Sequence, residues 1–475
     1  MSDPEPAAAG PDAELTRLGV REAAGLIAEG ALSPVALVEA YLERIGRHDA
    51  ALNVYRTVMA DSAREAASRA ERAVRAGGSL GSLHGVPVSL KDNIEVEGVR
   101  MTAGTSVLRD HVAPRDAPVV TRLREAGAII LGKLHMAEWA IGATTQNIHF
   151  GDCHNPWDPA RTAGGSSGGS GAALAADLAP ATLGTDTGGS VRIPAALNGV
   201  SGLRASFGRV PNTGTIPVAW TFDAVGPMAR RSEDVARLLE VIGGHDPDDP
   251  ASADVPGGRY EAALELGAEG LHIGLLTGDY RDTLPDAAAI PLDVAAGVLV
   301  GMGADVEPVA VRGLDEAIEW TAELLLAEAA SFHGDRLATS PEVFAPDVLK
   351  RLRRGQAVGG PHYARGRQAQ RAWRRRILGA MDGYDLLLAP AVPEIAPLLA
   401  ESEPLETTGR LARYMSTAVL ARLPALVVPA GFGGPGPMPL GMQLIGRPYD
   451  EATLLRAAHA YQQLSDFHER RPPLD

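Results

Sequence analysis

Two hydrophobic periodicities interleave along this chain. Val35, Val38, Leu42 and Ile45 recur at three- to four-residue spacing after Ser33-Pro34, where a capping hydroxyl and a first-turn proline open a helix. Ala63, Ala67, Ala70 and Ala73 predict a second helix with a small-residue packing face. VPVSL (86–90) and AIILGKL (128–134) are short apolar runs of the kind that fill buried strands. The stretch APVVTRLREAG between them predicts a crossover helix. LHIGLL (271–276), ADVEPVAV (304–311), DLLLAP (385–390) and ALVVPAG (425–431) predict further strands, with helical stretches at 314–332 and 362–381. The alternation continues without a compositional break or an internal repeat. It predicts one large α/β/α domain over 14–475, preceded by a mobile tail at 1–13.

Composition narrows the function classes. The 475 residues are 45% hydrophobic and 22% charged, as in a soluble globular protein with a sizeable core. A net charge of −15 repels phosphate backbones and argues against direct nucleic-acid binding. The basic run RGRQAQRAWRRR (365–376) reads as a solvated helix face with Ile377 and Leu378 turned inward. The N-terminal stretch lacks the basic and apolar regions of a signal peptide. No apolar run approaches the roughly 18 residues of a membrane span. A single cysteine, Cys153, excludes an internal disulfide framework and fits a reducing cytoplasm. It is expected to be an inert packing residue.

The glycine-rich stretch GGSSGGSG (164–171) has a linker's composition but runs into SGAALAADLA, a strong helix former. A second cluster, TDTGGS (185–190), enters another helix at VRIPAALNG. Glycine-rich turns opening buried helices gather backbone N–H groups, and each loop carries a candidate hydroxyl, Ser166 and Ser190. The amides of Thr187, Gly188, Gly189 and Ser190 form a run of donors for a developing oxyanion. Twelve histidines show no triad pattern, and His149 and His154 do not make a convincing metal pair. Lysine is more informative: of 44 basic residues only Lys91, Lys133 and Lys350 are lysines. Arginine cannot lose its proton in a protein, whereas a buried lysine can. Lys91 ends the run VPVSL, where a strand meets its loop; Lys133 is the rival, and either could be a structural ion pair.

The segments VPVSLKDN, NPWDPARTAGGSSGGSGAALAA and LGTDTGGSVRIPAALNGVSGLRASFGRV resemble the signature of the amidase signature family. DLLLAP, LPALVVPAGF and PLGMQLIGRPYDEATLL extend the likeness from about residue 18 to 465. The resemblance implies an α/β/α fold with a large mixed central β-sheet flanked by helices. It also implies a Ser–cis-Ser–Lys triad: Ser190 as nucleophile, Ser166 as proton bridge after a cis bond from Gly165, and Lys91 as base. The amides of 187–190 would form the oxyanion hole. Ser167 and Ser170 would hold the loop, and Asp186 would orient backbone or Arg192. No cofactor or metal is implied. The chain departs from the family at Arg204-Ala205, where Lys-Pro is common, and at Asn198, where Cys is frequent. Both lie in the segment leading to loop 205–222, expected to border the pocket.

The expected activity is hydrolysis of carboxamide C–N bonds through an acyl-enzyme, extending to anilides and to carbamates as in the family's urethanases. The expected partner is a small-molecule amide or carbamate, with no membrane; the oligomeric state is not legible. Three alternatives stand beside it. One is the transamidase subunit of an aminoacyl-tRNA amidotransferase, working with an ATP-using, tRNA-binding protein. Another is an α/β-hydrolase with Gly164-x-Ser166-x-Gly168 as its elbow and His459 or His468 as base. The third is a non-catalytic anion-binding module, although no Gly-Lys-Ser/Thr follows the glycines.

Overall fold

The computed structural model describes residues 14–434 and 436–474; the expected tail, 1–13, lies outside the described residues. In chain order the strands are β1 (Tyr55–Val58), β2 (Pro87–Lys91), β3 (Ile129–Leu134), β4 (His154–Asn155), β5 (Asp158–Thr162), β6 (Ala181–Thr185) and β7 (Ser201–Arg204). They continue with β8 (Val225–Ala229), β9 (His272–Gly278), β10 (Asp305–Val311), β11 (Leu386–Pro390), β12 (Ala425–Gly433) and β13 (Met438–Gly446). Eleven of them form one sheet in the order β1-β3-β2-β6-β8-β7-β12-β13-β11-β9-β10, while β4 and β5 pair separately. Neighbours are parallel at β3-β2-β6 and at β11-β9-β10 and antiparallel elsewhere. The sheet is mixed and flanked by helices, as the sequence led us to expect.

The predicted strands at 86–90, 128–134, 271–276, 304–311, 385–390 and 425–431 all form, as does the crossover helix Pro118–Glu125. Ser33 caps the helix Pro34–Leu52 by accepting from the Ala36 amide at 3.2 Å. Ala63, Ala67 and Ala70 are the buried face of Ala60–Arg75.

Two short helices, Gly168–Ala175 and Arg192–Asn198, are buried along their whole length. Their small residues let backbone approach the sheet closely, so the two serine loops are held inside the molecule. Parallel pairing of β2 and β6 sets Leu90 opposite Leu183. Lys91 and Thr185 therefore leave the sheet at the same end.

The basic run departs from its expected form. It lies in the helix Gly360–Ala380, where Ile377 is buried but Gln370 and Trp373 are buried too. Arg367 Nη1 donates to Thr221 Oγ1 at 3.0 Å, and Arg374 Nη1 donates to the Ala421 carbonyl. Part of this face is thus turned onto loop 217–223 and the end of helix Ser416–Ala421 rather than solvated. Packing needs on the neighbouring elements override the charge pattern.

Candidate active site

The last residue of β2 sets the geometry. Lys91 is fully buried, and its Nζ lies 2.7 Å from Ser166 Oγ and 2.8 Å from Thr185 Oγ1. Burial pulls the Lys91 ammonium down to about 7, against the opposing influence of Asp186 and Asp223. Near neutral pH this amine is poised between its charged and free-base forms. Lys133, the rival, pairs instead with Asp92 at 3.2 Å, both side chains fully buried. Asp92 also accepts from the Thr102 amide and hydroxyl, so Lys133 belongs to a structural ion pair.

The first glycine loop is shaped by close approach. A Cβ on Gly165 would stand 2.9 Å from backbone atoms of Ala143, Thr144 and Thr145. Thr145 Oγ1 donates to the Gly164 carbonyl at 2.7 Å and accepts from the Gly168 amide, bracing both ends of the turn. The peptide bond between Gly165 and Ser166 is cis. Ser167 Oγ donates to the Thr185 carbonyl and Ser170 Oγ to the Leu183 carbonyl, both at 3.3 Å. These two hydroxyls tie the loop to β6.

The second loop is set by Asp186. Its carboxylate accepts from Arg192 Nε at 2.9 Å, Arg192 Nη2 at 3.1 Å and Arg204 Nη1 at 3.2 Å, all three residues being fully buried. Burial alone would raise this carboxyl, but Arg192 and Arg204 hold it well below the usual carboxylate range. Asp186 also accepts from the Gly189 amide at 3.0 Å and the Val191 amide at 3.3 Å. One of the four expected oxyanion donors, Gly189, is therefore already engaged. Thr187, Gly188 and Ser190 have amides without an acceptor among the described residues. Gly189 itself has φ 117°, and a Cβ there would meet Met415 at 2.5 Å.

The two loops meet where the Ser167 amide donates to the Ser190 carbonyl at 3.2 Å. Ser190 lines a cavity of about 170 Å³ together with Thr187 and Gly188. Its other walls are mainly apolar, with Ile141, Ile193, Val218, Ile318, Leu325 and Leu326 among them, and no aspartate or glutamate lines it among the described residues. Arg351 is the only charged lining residue described; its Nη2 is held by the Pro404 carbonyl and Thr408 Oγ1. No hydrogen bond joins the Ser166 and Ser190 hydroxyls among the described residues; such contacts often close only around a bound substrate.

Other sequence candidates fall elsewhere. Cys153 is buried, and burial pushes its thiol well up. His149 pairs with Glu138 at 2.8 Å, and His154 Nδ1 lies 2.6 Å from the Pro159 carbonyl. His459 and His468 have Glu233 and Glu469 as carboxylate neighbours, and the basic side chain that contacts Ser166 is Lys91. A wider groove of about 970 Å³ beside β1 and Ala60–Arg75 contains none of the three expected catalytic residues.

Sequence reasoning missed two contributors. Arg204 was noted only as a departure, yet it grips Asp186, donating also to its carbonyl, and binds the Phe222 carbonyl at 2.7 Å. Asp223 was not singled out. It accepts from Thr187 Oγ1 at 2.5 Å and from the Val218 and Ala219 amides, and burial pushes its carboxyl up to about 6. An isolated Asp in TFDAV gives no local signal of such a role.

The sequence profile of the Amidase family matches residues 36–455. The chain belongs to the Amidase family. A glutamyl-tRNA(Gln) amidotransferase subunit of Chloroflexus aurantiacus is 38% identical over 97% of this chain and 99% of its own. The peptide amidase of Stenotrophomonas maltophilia superposes with TM-score 0.85 and 32% identity, covering 98% of this chain and 99% of that one. A solved chain described with a vestigial protein complex and the origins of an s-triazine catabolic enzyme gives TM-score 0.90 and 34% identity, covering 94% and 98%. Among the described residues no helix is long and apolar enough to cross a membrane.

Proposed function

We propose that this amidase hydrolyses uncharged carboxamides with an apolar acyl or leaving group, anilides and aryl carbamates included, through an acyl-enzyme on Ser190. The contact that carries this proposal is the 2.7 Å approach of a buried lysine amine to Ser166, one loop away from a serine that lines an apolar cavity. Neutral Lys91 takes the Ser166 proton as Ser166 takes the Ser190 proton, and Ser190 Oγ bonds to the carbonyl carbon. The oxyanion rests on the free amides of Thr187, Gly188 and Ser190. The C–N bond then breaks as the proton returns through Ser166 to the leaving nitrogen. Water, deprotonated by the same relay, cleaves the acyl-enzyme. With a carbamate the intermediate is a carbonate or carbamoyl ester, according to which bond breaks.

The absence of a lining carboxylate bears on specificity. The ammonium of a free amino acid such as glutamine finds no counter-charge on the described cavity wall, and burying it unpaired is costly. A neutral apolar substrate meets no such penalty.

A second assignment is favoured by the near full-length likeness to the Chloroflexus amidotransferase chain: a transamidase that releases ammonia from glutamine beside a partner protein. A panel of aliphatic amides, anilides, aryl carbamates and L-glutamine, offered to the purified chain without ATP, separates the two. Turnover of anilides or carbamates that disappears in Ser190→Ala supports the hydrolase. Activity on none of them until a partner protein is added supports the transamidase. Full activity in Ser190→Ala refutes both.

A further inference from the structure

Outside the cavity that Ser190 lines, on the other side of loop 217–223, lies a cleft of about 520 Å³ whose walls include Phe207, Trp220, Arg367 and Arg422 and also three carboxylates, Asp223, Asp248 and Asp249. Val218 of the same loop faces the catalytic cavity. The two spaces share a wall one loop thick.

Arg422 is the unusual residue. It ends the helix Ser416–Ala421 in the left-handed conformation, φ 55°. Glycine occupies that position at least cost, because a Cβ crowds the backbone there. Its guanidinium lies over the Phe207 ring at 3.6 Å from the centroid. It makes no hydrogen bond and no ion pair among the described residues. Arg367, on the same cleft, donates only to Thr221 Oγ1 and has no carboxylate partner among the described residues. Arg374 is bound to the Ala421 carbonyl behind them, and Arg371, one turn from Arg367, is exposed.

Like charges gathered this way repel: burial and the neighbouring Arg367, Arg204 and Arg374 pull Arg422 down to about 10. None of the acids lining the cleft forms an ion pair with Arg422 or Arg367 among the described residues. Asp249 accepts from the Asn212 and Ala251 amides, and Asp223 is committed to Thr187 and to Val218 and Ala219. Asp248 is exposed. Arg422 and Arg367 thus present guanidinium groups to the cleft with no ion-pair partner among the described residues, and such groups match a negative ligand.

We propose that this cleft is a second binding site, taking an oxyanion, carboxylate or phosphate, on the guanidinium groups of Arg422 and Arg367. Planar guanidinium forks match both head groups in bidentate fashion. Phe207 holds the Arg422 plane in place, so little side-chain freedom is lost on binding. Trp220, 46% exposed, offers a flat face to whatever group carries the anion.

The test is binding, read without reference to catalysis. Inorganic phosphate and benzoate, each against sodium chloride of equal ionic strength, are titrated into the full chain by calorimetry and thermal denaturation. At least one should bind and raise the melting temperature by several degrees, in wild type and in Ser190→Ala alike. Binding by phosphate alone or benzoate alone identifies the head group. Arg422→Gly suits the left-handed backbone, so the unliganded protein should melt no lower than wild type while its affinity for the anion falls at least about tenfold. Arg367→Gln should weaken binding to a lesser degree. Equal affinity in wild type and Arg422→Gly, or no binding of either anion to wild type, overturns the proposal.

Discussion

The Thr187 hydroxyl donates to Asp223 across 2.5 Å, and Asp223 in turn collects the Val218 and Ala219 amides. A loop that walls the cavity is thereby pinned to the loop that carries the unengaged amides of Thr187, Gly188 and Ser190. Asp223→Asn keeps the shape but weakens the acceptor. Misplacing a reacting group by about an ångström can cost about a hundredfold, so kcat should fall by roughly 10- to 100-fold with KM little changed. Steady-state kinetics on one anilide decides it; an unchanged kcat would show that Asp223 only braces the wall.

Covalent labelling locates the nucleophile. A sulfonyl fluoride should add once to wild type and map to Ser190 by peptide mass spectrometry. Ser190→Ala should lose the label and about 10⁴-fold or more in kcat. Lys91→Met should slow labelling by about 10²- to 10⁴-fold at neutral pH. A label on Ser166 in wild type contradicts the proposed order of the relay.

The pH profile follows from Lys91. Its proton must be absent for it to act as base, and burial brings it to about 7. kcat/KM should therefore climb with pH up to about 7 and level off above it. Asp223, pushed up to about 6, gains a proton on the acid side and steepens the fall there. Asp223→Asn should remove that extra steepness and keep the Lys91 limb. A profile flat from pH 5 to 9 is incompatible with a lysine base.

Arg204 takes part in a buried ion network, not a surface one. Removing one partner of such a network leaves charge uncompensated and costs about 3–5 kcal/mol. Arg204→Met should lose about that much in urea denaturation, although Arg192 still holds Asp186. A loss below about 1 kcal/mol would mean that Arg192 alone suffices.

Cavity size sets substrate size. Leu325 lines the cavity and is partly exposed, so shortening it opens space without hollowing the core. Leu325→Ala should shift kcat/KM toward anilides with a bulkier acyl group by about tenfold relative to acetanilide. No change in the ratio would place the acyl group elsewhere.

Much of this was legible in the residues. Short apolar runs at 128–134 and 425–431 become strands because burial on both faces leaves almost no polar positions, the buried Lys133 being paired with Asp92. The scarcity of lysine narrowed the choice to Lys91 and its rival Lys133, the family resemblance pointed to Lys91, and the structure sets that amine 2.7 Å from Ser166 Oγ. What escaped was what small residues conceal. ATLGT at β6 and SGLR at β7 carry too little apolar bulk to read as strands, yet they are central and buried. Asp223 and Arg204 escaped for another reason: their partners lie far along the chain, Thr187 at 36 residues and Asp186 at 18. Nor does a charge pattern show which arginines of a basic run turn inward; that is decided by carbonyls and hydroxyls on other elements.

The pairing of β2 with β6 has a consequence for how the molecule comes apart. Lys91 and Ser166 are separated by 75 residues, and Lys91 and Thr185 by 94. Contacts between residues so distant in sequence close only when the intervening chain is ordered. No single helix or hairpin holds a working fragment of the site. In a denaturant titration, reactivity of Ser190 should vanish together with the far-ultraviolet signal of the whole sheet and not before it. Catalytic competence would then serve as a gauge of whether the central sheet is closed.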